Sequence, residues 1–198
     1  MIRIFFTLAC LSVTLLITAL MIGLTMGDLY AKPSPADETL HWATVHRLTG
    51  IAAALGVVFV ESVVVTYFIG TSRWVREVVE TYRFDPAPIV ASNRLKRRTF
   101  PWALAGMLAV VGIIALGGAA DPATMRPNTQ AWADWHLWGA FLGIAFVAWT
   151  YLIAWNNIVA NHAIIQQLVA EVGRVRREHG IEENSADPTF SSSGAADC

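Results

Sequence analysis

The sequence predicts an all-α integral membrane protein: a four-transmembrane-helix bundle with helices 2 and 4 extended into the cytoplasm. Three observations lead there. The chain contains four long apolar runs separated by polar segments. Only 15% of its 198 residues are charged and 55% are hydrophobic, against about 25% charged in soluble domains. Lys and Arg are distributed unequally between the two sides that the four runs define.

The first run is Ile4 to Met26, flanked by Arg3 and Asp28. It exceeds the roughly 7–15 residues of a signal-peptide core and suffices to cross about 30 Å of hydrocarbon, so it reads as an uncleaved first helix. The second run is Leu48 to Ile69, the third Phe100 to Ala120, and the fourth Trp135 to Trp155. In lipid the backbone must satisfy its own hydrogen bonds, which makes each run a helix. The expected helices cover about 4–27, 39–82, 95–120 and 131–178. Pro101 is expected in the first turn of the third, where a missing N–H costs nothing. Six of the eight tryptophans lie near run ends, as an interfacial belt requires.

Eleven of the fourteen Lys and Arg fall on the side holding both termini and the loop between runs two and three; only Lys32, Arg47 and Arg126 fall on the other. By the positive-inside rule both termini face the cytoplasm of an inner membrane. Beyond the second run, Trp74, Val75, Val78, Val79 and Tyr82 recur at helical spacing; beyond the fourth, so do Ile158, Ile165, Leu168, Val172 and Val175. These extensions are expected to pack on each other and to offer a docking surface to other membrane or peripheral subunits. Residues 1–180 then form one domain, and the acidic, serine-rich 181–198 a disordered tail. No internal repeat stands out. The net charge of −1 argues against nucleic acid as a partner. The two cysteines, Cys10 and Cys198, form no disulfide framework.

The candidate chemistry centres on "HWATVHRLTG", residues 41–50. Helices 2 and 4 both start outside, so His46 and His136 enter the bundle at the same level. Small residues follow each on nearby faces: Gly50 and Ala53 below His46, and Gly139, Ala140 and Gly143 below His136. Two histidines above a small-residue groove suit a haem b held between helices 2 and 4, with Arg47 pairing a propionate. The competing reading is close helix packing. Gly139 and Gly143 form a GxxxG pair, and Ala19/Gly23 or Ala52/Gly56 have the same spacing with no histidine. A third reading, a copper or zinc site from His41, His46 and His136, uses the same residues. His162 and His179 are expected outside the site.

Glu61 lies fifteen residues beyond His46, roughly 22 Å along the helix. Tyr151 lies fifteen beyond His136. A carboxyl at this depth is expensive unless neutral or paired. A Glu61–Tyr151 hydrogen bond is expected, with Ser62, Thr66 and Thr150 at similar depth, serving either a proton or quinone site or simple interhelical adhesion.

His46-Arg47-Leu48-Thr49-Gly50 resembles the His-Arg-x-Thr-Gly signature of the cytochrome b anchor subunit of succinate dehydrogenases, and "HRL" entering a helix is similar to the haem-ligand helices of haem A synthases. The resemblance covers five residues. It implies that His46 and Arg47 contact haem or quinone. The anchor family's separate downstream haem-histidine motif is missing here, and the eight helices of a haem A synthase are twice the number found. No catalytic residue set or nucleotide-binding motif is present. The expected function is a redox subunit for membrane electron transfer rather than a stand-alone enzyme. The alternative is a non-catalytic scaffold or accessory subunit, with a small transporter third.

Overall fold

The structure is a computed structural model and describes residues 1–180. The expected disordered tail lies outside the described residues. Regular structure among them is helical: α1 (Ile2–Thr25), α2 (Asp37–Tyr82), α3 (Ala87–Ala120) and α4 (Ala133–Glu178), with short 3-10 turns at Pro122–Thr124 and Thr129–Trp132. Four helices are long and apolar enough to cross a membrane. Their outer faces expose Leu55, Phe59, Leu104, Leu108, Leu142 and Leu152, a surface compatible with lipid.

The helices alternate in direction. α2 packs between α1 and α3, α4 packs on α3, and α1 and α4 close the bundle more loosely; α2 and α4 also touch across the diagonal. The shared core includes Phe5, Leu16, Val57, Val64, Phe68, Val110, Val147 and Ile158. Beyond it, Val75 and Val79 of α2 meet Leu168 of α4, as the helical stripes predict.

Two expectations need correction. α3 starts at Ala87, not near 95. The polar segment before the third run is helical because it has partners. The Asp85 carboxylate accepts from Ala87 N at 2.9 Å, Ile89 packs on the α2/α4 extension, and Ser92 is fully buried. Pro101 consequently lies deep inside α3 rather than in its first turn. It leaves the Arg97 carbonyl without its helical donor.

The two hairpins, α1–α2 and α3–α4, repeat one design. Val57, Val60, Glu61, Val64 and Phe68 are buried in α2; the residues ninety positions later, Val147, Thr150, Tyr151, Ala154 and Ile158, are buried in α4. Sequence comparison misses this because only one of the five pairs, Val57/Val147, is identical. What repeats is depth and burial.

Candidate functional site

His46 and His136 meet at the arginine-poor end. Their ring centres are 6.1 Å apart with the planes at 75°. A direct imidazole–imidazole hydrogen bond would bring the centres to about 5 Å. One metal atom between two ring nitrogens would place them about 6 Å apart, given bonds of about 2 Å and about 1 Å from each nitrogen to its ring centre.

Each ring is held by the preceding helix of its hairpin. His46 Nδ1 lies 2.9 Å from the Ala19 carbonyl. A carbonyl only accepts, so Nδ1 carries the proton and, in the neutral ring, Nε2 keeps its lone pair. Gly23 lies against the same ring: a Cβ there would come within 2.9 Å of His46 Cε1. In the second hairpin, a Cβ at Gly117 would come within 3.0 Å of His136 Cε1. His136 Nδ1 is buried with no hydrogen-bond partner; the position equivalent to Ala19 on α3 is Ile113. Ala19 and Ile113 stand ninety-four positions apart, as do Gly23 and Gly117. The Ala19/Gly23 pair, which reads from sequence as packing without a histidine, therefore seats His46.

The expected small-residue groove is arranged differently. Gly50 has open space where a side chain would be. Gly139 and Gly143 receive Leu116 and Ile113 of α3, so both serve helix packing. Ala140, one turn below His136, and Ala53, two turns below His46, are buried. Arg47 pairs with Asp121 at 3.1 Å, which occupies the cation assigned to a propionate. Beside this ion pair the Tyr30 hydroxyl donates to the Ala120 carbonyl. Burial, then Asp121 and Asp28, push the Tyr30 phenol above its usual value. His41 is exposed beside Trp42. Among the described residues no three His, Cys, Asp or Glu are grouped to hold a metal ion, so His41 does not join the other two as a ligand set.

Further in, Glu61 is fully buried. Its partner is Thr150, whose hydroxyl donates to Oε1 at 2.8 Å; Tyr151 is bonded instead to Ser12, at 3.0 Å. The expected direct Glu61–Tyr151 bond is replaced by these two separate contacts. Glu61 Oε2 is buried with no hydrogen-bond partner. Space for the carboxyl exists because residue 106 is glycine: a Cβ there would come within 2.7 Å of Oε1. The repeat diverges at this layer. Ser12 and Gly106 stand ninety-four positions apart, and Glu61 and Tyr151 ninety, so the first hairpin carries Ser12 and Glu61 where the second carries Gly106 and Tyr151, and the Ser12–Tyr151 and Glu61–Gly106 contacts each join the two hairpins.

A third polar layer centres on Asn161. Its amide donates to Thr71 at 3.0 Å and Tyr67 at 3.2 Å, and its carbonyl oxygen accepts from Ser92 at 3.0 Å. Sequence reading missed this layer, although an Asn and a Thr ninety positions apart are visible once the repeat is known. No family model, curated protein or solved structure matches the chain.

Proposed function

We propose that this chain is a multi-pass subunit of the cytoplasmic membrane, both termini inside, that holds a b-type haem near the external face and serves membrane electron transfer. The observation that carries the reading is the separation of His46 and His136, 6.1 Å between ring centres. It is longer than a direct hydrogen bond, lies within the range of an edge-to-face ring contact, and matches two ring nitrogens bridged by one metal atom. Two imidazoles alone are a poor set for a bare ion, and no third ligand joins them among the described residues. A haem would supply most of its iron's ligands itself and would need only His46 and His136 from the chain.

The chain's part is ligand control. The Ala19 carbonyl fixes the His46 tautomer with Nε2 free, as metal-bound histidines commonly hand their other ring N–H to a carbonyl or carboxylate. Gly23 and Gly117 admit the two rings. Buried Ala53 and Ala140 keep the layer beneath them low in bulk. When bound, the haem would supply a one-electron couple. Glu61 would hold a proton, its Oε2 left for water or a quinol, with Tyr151 as its counterpart in the second hairpin.

A reduced-minus-oxidised spectrum of the protein purified in mild detergent tests this. A b-type α-band is expected. His46→Ala and His136→Ala should each remove it and His179→Ala should keep it; a wild-type preparation without the band sinks the haem reading. The second reading is an accessory subunit, favoured by the joint projection of α2 and α4 beyond the core through Val75, Val79 and Leu168. Co-purification of a partner that is lost on Val75→Asp, with no pigment, would support it.

A further inference from the structure

At the arginine-rich end, α3 and α4 border an open cleft of about 490 Å³. Its lining is ordered by depth. Arg97, Arg98, Asn156 and Asn157 form the outer part, and Trp102 and Ile153 the inner. The helices are antiparallel, so Trp102 and Ile153 each lie one turn nearer the bundle centre than Arg98 and Asn157. Trp102 is 38% exposed and leans on Phe146 with ring centres 6.2 Å apart. Asn157 is tied to Thr99 at 3.0 Å. Arg97 and Arg98 are exposed, and among the described residues neither has an acidic partner.

We propose that this cleft binds one anionic phospholipid, its phosphate on Arg97 and Arg98 and its acyl chains along Trp102 and Ile153. The inference rests on the membrane reading above, though not on the haem. Guanidinium groups match phosphate oxygens in charge and geometry, and a basic pocket between spans at the interface suits an anionic headgroup. The polar-to-apolar gradient matches a lipid rather than a free ion. The Arg97 carbonyl, released by Pro101, offers an acceptor to a headgroup hydroxyl.

Native mass spectrometry of the full chain in mild detergent tests this, with phosphatidylglycerol and phosphatidylcholine of matched chains at equal concentration. Phosphatidylglycerol adducts should be favoured roughly tenfold or more. The pair Arg97→Gln and Arg98→Gln should bring them to the phosphatidylcholine level, while Arg76→Gln with Arg174→Gln should not. Equal retention of the two lipids overturns the proposal, as does undiminished preference in the first double variant. Displacement of phosphatidylglycerol by inorganic phosphate at matching concentration would make the cleft a phosphate-ion site and also overturn it. Alkaline carbonate extraction of the chain from cell membranes tests the membrane reading separately.

Discussion

Gly23 and His46 form one fitted unit: the imidazole occupies the space a side chain at residue 23 would need, and its Nδ1 bonds the Ala19 carbonyl one turn earlier on α1. Gly117 and His136 repeat the fit in the second hairpin.

Adding a methyl group at either glycine should displace a ring. Gly23→Ala and Gly117→Ala are each expected to cost about 1–3 kcal/mol by overpacking and to weaken any haem band. Gly50 has nothing within 4 Å of its would-be Cβ, so Gly50→Ala should be neutral or gain up to about 1 kcal/mol from helix propensity. Thermal melts in detergent compare the three. Equal destabilisation by all would refute the seating role.

The carboxyl of Glu61 depends on the missing side chain of Gly106. Gly106→Ala should destabilise by about 1–3 kcal/mol, whereas Gly112→Ala, in open space, should not. Thr150→Val removes the donor to Oε1 and should cost about 1–3 kcal/mol, since a buried acceptor is then left unpaired. Glu61→Gln keeps size and shape and should melt close to wild type while losing any proton-linked redox behaviour. A Glu61→Gln variant that keeps its pH-dependent potential would show the group to be structural.

Asn161 joins α2, α3 and α4 through three side-chain hydrogen bonds. Asn161→Leu strands their donors and acceptors in a layer where Asn161 and Ser92 are fully buried and Tyr67 and Thr71 half-buried, and a loss of about 1–3 kcal/mol is expected. Asn157→Leu loses a single bond to Thr99 and should cost less. The order of the two melting temperatures decides.

The Tyr30 cap should be sensitive to alkali. Its folded pKa lies above the ordinary value of 10.0, so the neutral phenol is favoured in the folded state. The resulting stability is present below pH 10 and is lost as pH rises through the folded value. Melting temperature should fall between pH 9 and 11 in wild type and fall less in Tyr30→Phe. The neighbouring Arg47–Asp121 pair is 40% exposed on its arginine, so Asp121→Asn should cost under about 1 kcal/mol.

Much of the fold was legible because it is written locally. The four apolar runs, the stripes past runs two and four, and the matched level of His46 and His136 all follow from helical period and rise. The start of α3 was not legible: "ASNRLKRR" is polar, and its helix is secured by Ser92 bonding to Ser72 and Asn161, twenty and sixty-nine residues away. Pro101 was misplaced for the same reason. The site was half legible. His46, His136 and Glu61 stand out by type and depth, but the roles of Arg47, Gly50, Gly139 and Gly143 depend on which neighbour each meets.

By itself the sequence determined that four segments are helices long enough to cross a membrane and which polar residues enter them, because hydropathy and the 3.6-residue period are properties of contiguous segments. Only the tertiary structure decided that the Ala19 carbonyl and Gly23 seat His46, that Asp121 takes Arg47, and that Thr150 rather than Tyr151 meets Glu61. Those partners lie 27, 74 and 89 residues apart. Helices must pack before such residues touch, and the rotation of each helix about its axis is set by the sum of all its contacts.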